Sequence, residues 1–104
     1  MVVNWANTAI NDLKEYELNS KIITDNNLKK YINSLILYTN SLEITPRLGK
    51  LLLENDDFEF RQLIYKMHKI FYYIYKDEIR ILSVVHTRYD ISNIIGYLYN
   101  LLDK

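Results

Sequence analysis

Residues 59–86 read EFRQLIYKMHKIFYYIYKDEIRILSVVH, and this stretch decides the fold. Apolar and polar side chains alternate with a period of two, and β-branched and aromatic residues dominate, as in half-buried strands. Three strands are expected, over about Phe60–Met67, Lys69–Tyr75 and Ile79–His86. The polar break Lys76-Asp77-Glu78 suits a tight hairpin between the last two. Upstream the period changes. Ala6, Ala9/Ile10, Leu13 and Tyr16 recur at helical spacing, with Asn4 or Asn7 as cap. A second helical stripe, Leu28, Tyr31/Ile32, Leu35, Tyr38/Thr39 and Leu42, follows the capping residues Asp25-Asn26-Asn27. Val2-Val3-Asn4-Trp5 reads as a short opening strand. Thr45-Pro46-Arg47-Leu48-Gly49 reads as a turn, and Glu54-Asn55-Asp56-Asp57 as an acidic surface loop. After the strands, Ile91, Ile94/Ile95, Leu98 and Leu101/Leu102 give a third helical stripe.

The order is βααβββα, an α+β fold: a small curved antiparallel sheet with a helical hairpin packed on one face and a C-terminal helix. The 104 residues suit one domain, 1–104. Curvature is expected to leave the other face of the sheet open, where a site or a partner belongs.

Thirteen Lys and Arg balance thirteen Asp and Glu, which argues against a protein that wraps nucleic acid through bulk positive charge. The absence of cysteine excludes disulfide scaffolds, zinc-thiolate sites, iron–sulfur clusters and thiol catalysis. Gly49 and Gly96 are the only glycines, so no glycine-rich phosphate loop exists. His68 and His86 fall on different strands and do not suggest a metal site. Glu54, Asp56, Asp57 and Glu59 read as a solvated loop. The opening residues lack a signal-peptide pattern, and no run is long enough to span a membrane. A soluble, cytoplasmic domain without cofactor or metal is the expectation.

Charge is nevertheless uneven. Between Arg61 and Asp90 stand six cations (Arg61, Lys66, Lys69, Lys76, Arg80, Arg88) against three acids (Asp77, Glu78, Asp90). Strand alternation puts Arg80, Leu82, Val84 and His86 on one face of the last strand, with Arg88 just beyond. It puts Lys69, Phe71, Tyr73 and Tyr75 on one face of the strand before. Cations interleaved with aromatics can hold a phosphate backbone and stack on a base. Ordinary strand amphipathicity with buried tyrosines accounts for the same pattern.

Four segments carry a family likeness. They are Pro46-Arg47-Leu48-Gly49-Lys50, Phe60-Arg61-Gln62-Leu63-Ile64, His68 to Ile74 (HKIFYYI), and Ile81 to Asp90 (ILSVVHTRYD). In this order they resemble the motifs P-x-x-G-R, R-E-L, Y-R-I-x-Y and I-L-x-V-x-H-x-R-x-D. These belong to the RelE/ParE superfamily of type II toxin–antitoxin toxins, often labelled plasmid stabilisation proteins. Val3-Asn4-Trp5 with Ala9 and Leu13 resembles the first strand and helix of that family.

The resemblance implies a growth-arresting toxin bound and neutralised by a cognate antitoxin. It implies one of two targets. The ParE-like branch poisons DNA gyrase. The RelE-like branch comprises metal-independent endoribonucleases acting on mRNA in the ribosome, where bases and cations activate the ribose 2′-OH and stabilise charge on the phosphate. If the chain is an enzyme, it is of this second kind, and the resemblance then makes Lys69, His86 and Arg88 the catalytic residues. Departures favour the ParE-like branch. Phe60 and Gln62 stand where the ribonucleases often carry alternating Lys, Thr87 where Gly is frequent, and Tyr89 where a second basic residue is frequent. The late catalytic Tyr falls near Ile94, with Tyr97 one turn on. A third reading is an inactive relative that only binds antitoxin.

Overall fold

The computed structural model describes residues 1–20, 25–88 and 96. Strand β1 (Val2–Trp5) leads into helix α1 (Asn7–Asn19), then helix α2 (Asp25–Asn40) and a 3₁₀ turn (Ser41–Glu43). Four strands follow: β2 (Lys50–Glu54), β3 (Phe58–Tyr65), β4 (His68–Tyr75) and β5 (Glu78–His86). They form one sheet in the order β1-β5-β4-β3-β2. The fold is α+β, as expected from periodicity. Apart from Gly96, the expected helix over Ile91–Leu102 lies outside the described residues.

Two features extend the sequence reading. The sheet is mixed, because β1 pairs parallel to β5, with Val2 opposite Glu78 and Trp5 opposite Ile81. It also has a fifth strand, β2, antiparallel to β3 and bulged between Leu51 and Leu53. Lys50-Leu51-Leu52-Leu53-Glu54 carries no two-residue alternation, so no periodicity marks it as a strand. The β3–β4 connection is Lys66-Met67, so Met67 lies in a turn and not in the strand. The N-cap of helix α1 is Ala6, not Asn4 or Asn7, and no side chain caps it. The Ala6 N–H still donates to the Ile81 carbonyl (2.8 Å), so sheet pairing runs into the helix start.

The main core lies between helices and sheet. Ala9 and Leu13 of α1 and Leu35 of α2 pack on Leu63, Ile70, Tyr72, Ile74, Ile79, Ile81 and Val84. These are the helical stripe and the alternate strand positions, brought face to face. The second face is not open at its centre. Phe60 and Phe71 are 0% exposed, their rings stacked with centroids 6.0 Å apart, against Leu52, Leu53, Phe58, Tyr73, Leu82 and Val85. Burying each ring contributes roughly 2–3 kcal/mol.

A bulge in β5 changes its phase. Phe71 pairs with Ser83 but Tyr72 with Ile81, so Leu82 is the extra residue. Arg80 and Leu82 therefore lie on the second face, whereas Val84 and His86 lie under the helices, so the four expected on one face are split. Helix α1 satisfies the disrupted backbone there. Thr8 Oγ1 donates to the Leu82 carbonyl (2.6 Å), and Asp12 Oδ2 accepts from Ser83 Oγ (3.0 Å) and the Val84 N–H (2.9 Å).

Both tight turns place a lysine in the left-handed region, Lys66 at φ 49° and Lys76 at φ 54°. Hairpin geometry asks for positive φ here, which costs a side chain about 1–2 kcal/mol. Lys76→Gly is therefore expected to stabilise the fold by about 0.5–1 kcal/mol after the extra entropy of the unfolded glycine is subtracted. Urea melts measure this, and an unchanged or lower midpoint refutes it.

Candidate functional site

The strand ends beneath the last turns of α1 bring together groups that are distant in sequence. His68 opens β4 and His86 closes β5, and they face each other across the ladder with ring centroids 5.7 Å apart. With Asp12, Glu15, Tyr16 and Asn19 of α1 and Val84, they line a cleft of about 430 Å³. Tyr16 packs edge-on against His68 at 4.6 Å. Tyr31 of α2 closes the inner side, its hydroxyl 2.7 Å from His68 Nδ1 and 3.4 Å from the Tyr65 carbonyl.

Electrostatics follow from burial. His68 is 4% exposed, and desolvation, followed by the nearby His86, holds its pKa below the usual imidazole value. His68 is neutral at physiological pH. The Tyr31 phenol is pushed above its ordinary value, mainly by desolvation. His86 is oriented through its backbone neighbour, because Nδ1 accepts the Arg88 N–H (3.1 Å). A neutral His86 therefore carries its proton on Nε2, where it donates and does not act as a base.

The residues singled out from sequence are separated. His86 and Arg88 are adjacent through this bond, with the Arg88 side chain exposed. Lys69 pairs with Ile64 and Val85, and alternation puts it on the opposite face of the sheet, with Phe71 and Tyr73. Phe60 and Gln62 are both buried, and the Gln62 Oε1 has no partner among the described residues. The sequence reading missed Asp12, Tyr16, Tyr31 and His68. Both tyrosines sat on helical stripes and read as core, while the histidine pairing depends on strand register.

The Pro46–Gly49 turn is built around Tyr72. Its hydroxyl donates to the Pro46 carbonyl (2.8 Å) and accepts the Gly49 N–H (2.9 Å), and burial raises its pKa. Arg61 Nη1 donates to the Gly49 carbonyl (2.7 Å) and Arg61 Nη2 pairs with Glu59 (2.7 Å), which also holds Arg47 (2.6 Å). The two arginines keep the Glu59 carboxyl below its ordinary range. Arg61 is thereby committed to structure. Among the described residues no group of three or more His, Cys, Asp or Glu side chains is placed to hold a metal ion, and no helix is long and apolar enough to cross a membrane.

Comparison with known proteins agrees with this architecture. No curated protein matches the sequence. Among solved structures, the chromosomal ParDE toxin–antitoxin system of P. aeruginosa is similar over 83% of this chain and 95% of that one, at 18% identity and a TM-score of 0.68. The archaeal RelE–RelB complex of Pyrococcus horikoshii OT3 is similar over 85% and 97%, at 14% identity and a TM-score of 0.61. The YoeB dimer of Staphylococcus aureus is similar over 86% and 98%, at 20% identity and a TM-score of 0.52. At these identities the three structures speak for the fold. The family follows from the sequence itself: residues 3–91 match the model of the ParE toxin of the type II toxin–antitoxin system parDE, and the chain belongs to that family.

Proposed function

We propose that this protein is the growth-arresting toxin of a type II module, neutralised by a cognate antitoxin, and that it poisons DNA gyrase in the cytoplasm rather than cutting mRNA on the ribosome. The observation that carries the choice of target is the division of the ribonuclease set. Lys69 lies on one face of the sheet and His86 on the other, and the Nδ1 lone pair of His86 is taken by the Arg88 N–H. The positions where ribonuclease relatives often carry lysines hold buried Phe60 and Gln62. A gyrase poison acts by binding and requires no such convergence. For the antitoxin, the groove between β1 and the helices offers about 460 Å³, with Trp5, Ile10, Leu13, Ile32 and Ile36 as its apolar lining and Lys14 and Glu17 at hand for charge. Such a groove suits one face of an amphipathic segment.

Induced expression alone is expected to stop bacterial growth, and co-expression of the neighbouring antitoxin to restore it. Purified protein with gyrase and supercoiled plasmid is expected to trap cleavage complexes, seen as linear DNA after proteolysis, and to leave ribosome-bound mRNA intact. Codon-phased mRNA cuts without trapped gyrase reverse the assignment and make Lys69, His86 and Arg88 the catalytic candidates. Normal growth at high soluble expression leaves a protein that only binds antitoxin.

A further inference from the structure

The chain is formally neutral, yet among the described residues a group of acids gathers at one end of the sheet and a group of cations at the other. One end carries the β2–β3 loop and the β4–β5 turn, since Phe58 pairs with Tyr75 and Tyr75 with Glu78. Glu54, Asp56, Asp57, Asp77 and Glu78 lie there, with Glu43, whose carbonyl accepts from the Met1 amine (3.1 Å) beside β1. The opposite end carries Lys29, Lys30, Lys66, Lys69 and Arg88. Register fixes this grouping. Tyr65 pairs with His68, His68 with His86, and the Thr87 N–H donates to the Met67 carbonyl (2.8 Å). Lys29 and Lys30 precede Tyr31, whose hydroxyl reaches His68. None of the five cations forms an ion pair with a described residue; the described pairs are Arg47–Glu59 and Arg61–Glu59. The described acids at this end include Asp12 and Glu15 of α1, which line the cleft with His68 and His86.

Aromatic rings lie on the helix side of this end, across the sheet from Lys69. Tyr38, Tyr65, Tyr31 and Tyr16 form a row with successive centroids 5.4, 5.6 and 6.1 Å apart. Cations spread over a turn, a strand end and a helix start do not converge on one small anion. They match a polymer of repeated negative charge, and the partly exposed rings on the helix side match planar bases. We propose that this end of the molecule binds the phosphodiester backbone of DNA directly. The contact goes beyond the gyrase reading and needs no gyrase.

The fold supplies a matched control. Lys66 and Lys76 each open a two-residue turn at positive φ, and each Nζ lies over the preceding tyrosine ring, at 5.5 and 5.3 Å. They differ in which end of the sheet they occupy. The experiment is fluorescence anisotropy of labelled DNA, single- and double-stranded, titrated with the full chain at several salt concentrations and without gyrase. RNA of equal length and polyglutamate serve as competing probes. Lys66→Gln combined with Lys69→Gln is expected to weaken DNA binding about tenfold at low salt and to reduce the slope of log K against log salt by about 1–2. Lys76→Gln is expected to leave both unchanged. Arg88→Gln, at an exposed position, repeats the test should the double variant unfold. Absence of salt-dependent DNA binding, or equal weakening by Lys76→Gln, overturns the proposal. Tighter binding of polyglutamate assigns the surface to an acidic protein, and tighter binding of RNA removes DNA as its ligand. Because gyrase is absent, failure here is distinct from failure to trap cleavage complexes.

Discussion

Gly49→Ala is expected to destabilise the protein by about 2–4 kcal/mol, more than any surface substitution. A methyl group at this position meets the Gln62 carbonyl at 2.8 Å and the Tyr72 ring and hydroxyl at 2.8 and 2.7 Å. Neither neighbour has room to yield. The Gln62 carbonyl is strand backbone, and Tyr72 is 0% exposed. Moving Tyr72 also breaks the bonds from its hydroxyl to Pro46 and from Gly49 to its hydroxyl. Tyr72→Phe removes the hydroxyl without adding bulk and is expected to cost about 1–3 kcal/mol, from leaving the Gly49 N–H buried without an acceptor. Urea unfolding with a common m-value measures both. A Gly49→Ala loss below about 0.5 kcal/mol shows that the turn moves as a unit and that the contact is not binding.

Acidification is expected to weaken the fold through His68. Its folded pKa lies below the 6.5 of an ordinary imidazole, so the unfolded chain takes up the proton first. The stabilisation is complete above about pH 7.5 and is lost as the pH falls through 6.5 towards the folded value, by up to about 1.4 kcal/mol per pH unit. The groups that face the ring are the Tyr31 hydroxyl, the Tyr16 ring and His86, with Asp12 and Glu15 across the cleft. Stability measured between pH 8 and 5 in the native protein and in His68→Gln checks this. The variant is expected to flatten the profile by up to one proton, and parallel profiles refute the assignment.

Where the sequence could be read, the reason is local periodicity. Residues 59–86 alternate strictly enough that β3, β4 and β5 and the turn after Tyr75 follow, within two or three residues, from side-chain pattern alone, whereas the Lys66-Met67 turn carries no breaker residue to mark it. The stripes Ala9–Leu13 and Leu28–Ile32–Leu35–Thr39–Leu42 likewise become buried helix faces. What escaped depends on partners. β2 is a run of leucines that becomes a strand because β3 offers an edge. The parallel seat of β1 is set by residues more than seventy positions away. The extra residue at Leu82 leaves no local trace, yet it moves Val84 and His86 to the helix side, so His86 meets His68 and parts from Lys69. The toxin-family motifs were legible as a set, whereas the role of Pro46 and Gly49 as a socket for Tyr72 appears only once β4 is in place.

The pairing of β1 with β5 also governs when the protein becomes itself during synthesis. The Asn4 side chain donates to Glu78 across 74 residues, and Asp12 holds Ser83 across 71. A ribosome working at roughly 5–20 residues per second needs about 4–15 s to bridge such a separation. For that interval the first strand and helix have no β5 to rest on, and the sheet lacks the strand that joins its two ends. Early helices form quickly, but the long-range contacts that close the molecule arrive last. The edge of the sheet formed by β1, and the seat of α1 on β5, are therefore completed only after residues 78–83 have left the ribosome.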